Sequence, residues 1–131
     1  GANQMSKNAD SETDLDTKCL HKISSLLNEF RKLDYEMPIQ QVLTFIWVAL
    51  KEADGVNIKD VADNLGISQA SASRNVNAFM KINRYRRTGH DLIETREDPM
   101  HRSRKLCNLT HKGTLVKKTL LEIMNDNRTA W

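Results

Sequence analysis

The chain has 131 residues, enough for one domain around one core. Its 39% hydrophobic and 28% charged residues are those of an ordinary globular protein, and no run approaches the ~18 apolar residues that a membrane span requires. The net charge of +3 is small, but it is unevenly placed: residues 1–55 carry six Lys/Arg against nine Asp/Glu, and residues 56–110 carry ten against six. No positively charged segment followed by an apolar run opens the chain, so no secretory signal is expected. The two cysteines, Cys19 and Cys107, fit neither a disulfide framework nor a metal-ligand spacing, which points to a reducing cytoplasm and to no metal or other cofactor.

Residues 1–14 are almost wholly polar and are expected to remain a mobile tail, with residues 1–4 ahead of Met5 a cloning remnant. One domain is expected to fill residues 15–131. From Leu15 to Met37 the apolar positions Cys19, Ile23, Leu26, Phe30, Leu33 and Met37 recur at alternating spacings of four and three. That is a helical seam, broadened by Leu20 and Leu27, wide enough for a core on one side and a partner on the other. Cys19 is expected to pack inside rather than to act as a reactive thiol. Pro38 suits the first turn of a new helix. Ile39 to Ala53 is apolar nearly all round and predicts a buried central helix ended by Asp54-Gly55. Trp47 is expected to pack in the core, with the wall of a ligand pocket as the alternative.

The stretch from Asn57 to Val76 carries the function. Asn57 can cap a short helix with Val61 and Leu65 on one face, and Ala62 allows a second helix to approach closely. Gly66 supplies a sharp turn, Ile67 plugs the corner, and Ser68 caps the next helix. Helix, glycine turn, helix is the layout of a helix-turn-helix. The second helix presents Gln69, Ser71, Ser73, Asn75 and Asn77 with Arg74 and Lys81, over an inner face of Ala72, Val76, Phe79 and Met80. Short amides and hydroxyls near a helix N-terminus suit base edges and phosphates. From Arg74 to Arg87 there are five basic residues (Arg74, Lys81, Arg84, Arg86, Arg87) and no acid, which suits a polyanion.

Leu92–Arg96 and Arg104–Leu109 then read as two strands joined by a turn over Glu97–Ser103, a basic hairpin beside the recognition helix. His101, Arg102, Arg104 and Lys105 lie at its tip and would reach a minor groove or phosphates. Thr110 caps a last helix through about Asn125, with Leu115, Val116, Leu120, Ile123 and Met124 as its stripe. The fold class predicted is mainly α with a small β-hairpin wing, a winged helix-turn-helix. Catalysis finds no support: His21, His90, His101 and His111 are scattered, and no glycine-rich phosphate loop is present.

The run Leu92-Ile93, Arg96, Asp98-Pro99, Arg102, then Leu109-Thr110 and Gly113, resembles the wing and last-helix start of the MarR family of winged-helix transcription regulators. The resemblance spans roughly Leu15 to Met124. It implies a homodimer held by intertwined terminal helices, here 15–37 and 110–126, with Ile23, Leu26, Phe30, Leu33, Leu120, Ile123 and Met124 at the interface. Residues 38–109 would form the DNA-binding lobe. It also implies a pseudo-palindromic duplex as partner, and a small-molecule effector in many members. His101 and Ser103 replace the Asp and second Arg of the family's wing, and the link from Met80 to Asp91 is longer than the family's. That link would either extend the recognition helix or form an extra basic loop. The function expected is sequence-specific duplex-DNA binding by a dimeric transcription regulator, most simply a repressor. The alternatives are a winged-helix protein-interaction module, or a phage or plasmid replication or recombination accessory factor.

Overall fold

The computed structural model describes residues 2–83 and 85–125, with side chains from Ser11 onward. Five helices and three short strands follow in the order α1 (Ala2–Arg31), α2 (Ile39–Leu50), β1 (Val56–Asn57), α3 (Ile58–Leu65), α4 (Gln69–Ala78), β2 (Ile93–Glu97), β3 (Lys105–Leu109) and α5 (His111–Asn125). This is the winged helix-turn-helix expected, with one strand more than the hairpin. β1 pairs antiparallel with the outer side of β3, aligning Val56 with Cys107, so the sheet order is β1-β3-β2. A two-residue strand offers no alternation to read, which is why periodicity passes over it.

α1 departs from expectation at both ends. It begins at Ala2, where the sequence suggested a mobile tail, because nothing between Ala2 and Met37 is proline or glycine and an established helix propagates more easily than it nucleates. It stops at Arg31 rather than at Met37. There Leu33 N–H and Asp34 N–H donate to the Phe30 carbonyl, and the Asp34 carboxylate accepts from Glu36 N–H at 3.1 Å, turning the chain toward Pro38. Pro38 is extended and precedes α2.

The inner faces converge on an aromatic column. Phe30 of α1 meets Phe45 of α2 edge-on, with ring centroids 5.6 Å apart, and Phe45 meets Phe79 at the end of α4 at 5.8 Å. Val42, Val48, Ala49, Val56, Val61, Ala62, Ala72, Val76, Leu92, Ile93, Cys107, Leu109 and Leu120 complete the buried apolar core. Trp47 packs on its edge, with the Lys51 ammonium 4.9 Å from its ring centroid. α2 is less enclosed than its composition suggested. Its Ile39, Leu43 and Leu50 are exposed, because the neighbouring helices cover only one side of it.

The sheet is clasped to the helices by polar contacts. Arg96 Nε donates to Asn108 Oδ1 across β2 and β3 at 2.8 Å, and Asn108 Nδ2 donates to the Glu52 carbonyl at 3.0 Å. The Glu52 carboxylate accepts from Lys117 Nζ at 2.9 Å and Thr114 Oγ1 at 3.1 Å, tying the end of α2 to α5. At Gly113 a Cβ would stand 2.1 Å from the Leu92 carbonyl oxygen, so α5 can rest on the start of β2 only through glycine. Phe45→Ala, which removes the middle ring of the column, is expected to destabilise the fold by about 3–5 kcal/mol, checked by urea denaturation.

Candidate nucleic-acid interface

The helix-turn-helix is built as its caps dictate. Asn57 Oδ1 accepts from Asp60 N–H at 2.9 Å at the head of α3, and Ser68 Oγ accepts from Ser71 N–H at 3.1 Å at the head of α4. Between them Gly66 sits at φ 68°, a left-handed turn that glycine adopts without strain. Ile67 packs against the core beneath the turn.

On α4 the polar residues divide by face. Ser68 Oγ donates to Ser71 Oγ at 3.0 Å, and an Arg74 Nη2–H donates to the same Ser71 oxygen at 3.0 Å. Ser68, Ser71 and Arg74 thus form one linked row at three-residue spacing. Gln69 and Arg74 are exposed, and Ser71 and Ser73 are half-buried. Asn77 Nδ2 donates to the Ser73 carbonyl at 2.9 Å. Asn75 does not join this surface. It is 9% exposed and shares the inner face with Ala72, Val76 and Phe79, and its Nδ2 has no hydrogen-bond partner. Steps of three and four residues from Ala72 and Phe79 carry it inward, so its polarity misleads where its helical angle would not.

The wing is a tight, braced tip. Asp98 Oδ1 accepts from Met100 N–H at 2.9 Å, and the Asp98 carbonyl accepts from His101 N–H at 3.2 Å. His101, Arg102, Ser103, Arg104 and Lys105 are all exposed. Arg104 and Lys105 line, with Gln69, Ser103, Asn57 and Lys59, a groove of about 410 Å³ that joins the wing to the N-terminal ends of α3 and α4. Lys59 was not singled out from sequence. Its signal was its place in the first turn of the helix ahead of the recognition helix. It is paired with Asp63 at 3.1 Å, but both side chains stay exposed.

The long link resolves to the second expectation, a basic loop. α4 ends at Ala78, so Lys81, Arg86 and Arg87 stand beyond it, and Arg84 lies outside the described residues. Ile82 bridges Thr88 antiparallel, and the Asn83 side chain accepts from Tyr85 N–H and Arg87 N–H. The chain then returns under α4. Leu92 N–H and Ile93 N–H both donate to the Phe79 carbonyl, and His90 packs its ring 5.8 Å from Phe79. Burial holds the His90 imidazole below its ordinary pKa, against the pull of Asp34 and with a smaller push from Lys112.

The residues expected at a dimer interface separate into two groups. Phe30 and Leu120 are buried in the protomer's own core and so are closed to a partner. Leu26, Leu33 and Ile123 are half-buried, whereas Ile23 and Met124 are exposed, beside Leu20, Leu27 and Leu121, which were not in the expected interface. Cys19 is exposed rather than packed inside, because its turn of α1 lies beyond the cover of the core. Cys107 is buried, and burial pushes its thiol up to about 11. Between α1, α2 and α5 lies an apolar groove of about 280 Å³, lined by Leu26, Ile46, Leu50, Leu120, Met124 and Lys117 among others; Trp47 is not part of it. No described helix is long and apolar enough to cross a membrane, and among the described residues no group of three His, Cys, Asp or Glu gathers as for a metal ion.

His90 gives this region a pH dependence with a definite sign. Its folded pKa is below its unfolded one, so the unfolded chain takes up the proton first on acidification. Stability is therefore expected to fall as pH drops below about 6.5. His90→Gln should flatten that part of a thermal-melting pH profile.

By sequence the chain matches no family model and no curated protein. By structure it is similar to regulators of the MarR family. MepR of S. aureus, an F27L mutant solved bound to an oligodeoxyribonucleotide, superposes with a TM-score of 0.64 at 16% identity, covering 90% of this chain and 76% of MepR. MepR has also been solved bound to ethidium bromide, with a TM-score of 0.65 at 16% identity over 89% of this chain and 74% of MepR. The apo form of E. coli MarR superposes at 0.57 with 14% identity, over 87% of this chain and 76% of MarR. The chain shares the winged-helix fold of these MarR proteins.

Proposed function

We propose that this chain is a sequence-specific duplex-DNA binder that works as a homodimeric transcription regulator, most simply a repressor. The observation that carries the reading is the juxtaposition at one groove of the head of α4 with the cationic wing. An acid-free helix face with a hydrogen-bonded Ser68–Ser71–Arg74 row offers donors and acceptors to base edges. Gln69 and Ser73 would join it there, with Asn77 and Lys81 farther along. His101, Arg102, Arg104 and Lys105 would hold the wing to phosphates or a minor groove. Asn75 is left out of this set because its side chain faces the core.

Two further observations support the wider reading. The exposed Leu20, Ile23 and Leu27 of α1 stand at helical spacing and, with Leu121 and Met124 of α5, leave apolar surface that a second copy would cover. Two-fold symmetry would then set two half-sites about one helical turn apart on a pseudo-palindrome. The apolar groove between α1, α2 and α5 adjoins that surface and is a seat for a small-molecule effector. The DNA-bound and ethidium-bound states of MepR accord with both parts of the reading.

Arg102→Ala combined with Arg104→Ala is expected to weaken duplex binding and to lower the slope of log affinity against log salt by up to about 2 per protomer, about 4 for the homodimer, near 0.9 for each phosphate left without its cation. A gel-shift titration across salt concentrations measures both. Unchanged affinity would remove the wing from the mechanism. Selection from a random duplex library should return a two-fold symmetric consensus, and a selection with no consensus would overturn sequence specificity.

A further inference from the structure

The loop that follows the recognition helix is a second cationic hairpin. Its backbone is closed by the Ile82–Thr88 bridge, with Asn83 N–H donating to the Arg87 carbonyl at 2.8 Å and Arg86 N–H to the Asn83 carbonyl at 2.9 Å. The Asn83 side chain adds two more bonds, from Tyr85 N–H at 2.9 Å and Arg87 N–H at 3.1 Å. Gly89 then anchors the base. Its N–H donates to the Lys81 carbonyl, and a Cβ there would lie 1.9 Å from the Met80 carbonyl oxygen. The described residues on either side of residue 84 are therefore tied together by these bonds. The loop presents exposed Arg86 and Arg87, a Tyr85 that is 71% exposed, and Lys81 at its root. No acidic residue lies between Arg74 and His90, and the first carboxylate that follows in the chain is Asp91, behind the hairpin.

The wing meets the N-terminal end of α4, through the groove that Gln69 shares with Arg104 and Lys105. The second hairpin continues from the C-terminal end of the same helix. Ten residues of helix separate them, about 15 Å at 1.5 Å per residue. A B-DNA major groove is about 12 Å wide, with a phosphate wall on either side. Laid across the groove, a helix of that length would bring a cationic device to the anionic wall at each edge.

We propose that the described residues of this loop, Ile82–Asn83 and Tyr85–Thr88, form a second wing, which through Arg86 and Arg87 binds the phosphate backbone of duplex DNA on the side of the major groove opposite the 97–104 wing. This rests on the DNA-binding reading above and deepens it. The recognition helix is clamped between two backbones, and the hairpin sets how far it enters the groove and which way it tilts. Arg86 and Arg87 supply charge without reading sequence, since phosphate contacts fix register rather than specify bases.

The test is phosphate-ethylation interference on a duplex recovered by random-library selection, run with the wild-type chain, with Arg86→Ala/Arg87→Ala, and with Arg102→Ala/Arg104→Ala. Wild type should show two clusters of essential phosphates in each half-site, one on each side of its major groove. The hairpin variant should lose one cluster and the wing variant the other. The hairpin variant should also lower the salt slope by about 2 per protomer, about 4 for the homodimer, while keeping the same consensus sequence. Asn83→Ala, which frees the hairpin without removing charge, should blur its cluster and leave the salt slope nearly unchanged. Loss of the same cluster by both arginine variants, or of none by the hairpin variant, overturns the second wing and leaves the DNA reading standing. A wild-type chain that shows no interference on any duplex overturns the DNA reading, and the second wing with it. Both arginine pairs are exposed, so near-identical melting curves for the three proteins are expected and serve as the folding control.

Discussion

The contact of Phe45 with both Phe30 and Phe79 is the constraint on which the rest of the molecule depends. One ring on α2 fixes the long first helix on one side and the end of the recognition helix on the other. Aromatic pairs in edge-to-face or tilted geometry contribute about 0.5–1.5 kcal/mol beyond their buried area, and they restrict orientation as well as distance. The angle between the surface proposed for dimerisation and the helix proposed for DNA is therefore set inside the protomer. Phe79 extends the constraint, because its carbonyl accepts the N–H groups of both Leu92 and Ile93 and so fixes where the sheet begins.

Around that column the helix-turn-helix is assembled from local chemistry. Asn57 and Ser68 satisfy amides that a helix start leaves open, each worth about 1 kcal/mol, and Gly66 allows the turn between. The polar outer face of α4 is then free to be organised by its own hydrogen bonds. Ser71 receives from Ser68 and from Arg74 at once, which limits the Arg74 rotamers before any ligand arrives. Such preorganisation lowers the entropy lost on binding. The clasp of Arg96, Asn108, Glu52 and Lys117 serves the sheet in the same way, holding the root of the wing to α2 and α5 while its tip stays exposed.

Much of this could be read from the residues, and the misreadings share a cause. Caps, the glycine turn and the apolar stripes are local signals, and α3, α4, the hairpin and α5 fall where those signals place them. What a face meets is not local. Phe30 and Leu120 belong to the same stripes as Ile23 and Met124, yet the first two are enclosed by their own chain and the second two are not. Cys19 and Asn75 err in opposite directions for the same reason. An apolar-looking residue lies on a turn that nothing in the described chain covers, and a polar one sits at an angle that turns it inward. The Met80–Asp91 link could not be settled by propensity, since its form depends on the fit of Gly89 beneath the Met80 carbonyl, a contact between a helix end and the strand that follows it.

The two thiols differ in a way that has a practical use. Cys107 is enclosed between strands with its proton held tightly, while Cys19 stands open on α1. A maleimide dye should therefore attach at a single defined place on the unaltered chain, since the thiolate is the reacting species. That place is on the helix proposed to meet a second copy. The natural sequence thus carries its own fluorescent reporter position, from which energy transfer between donor- and acceptor-labelled copies could follow subunit exchange in solution.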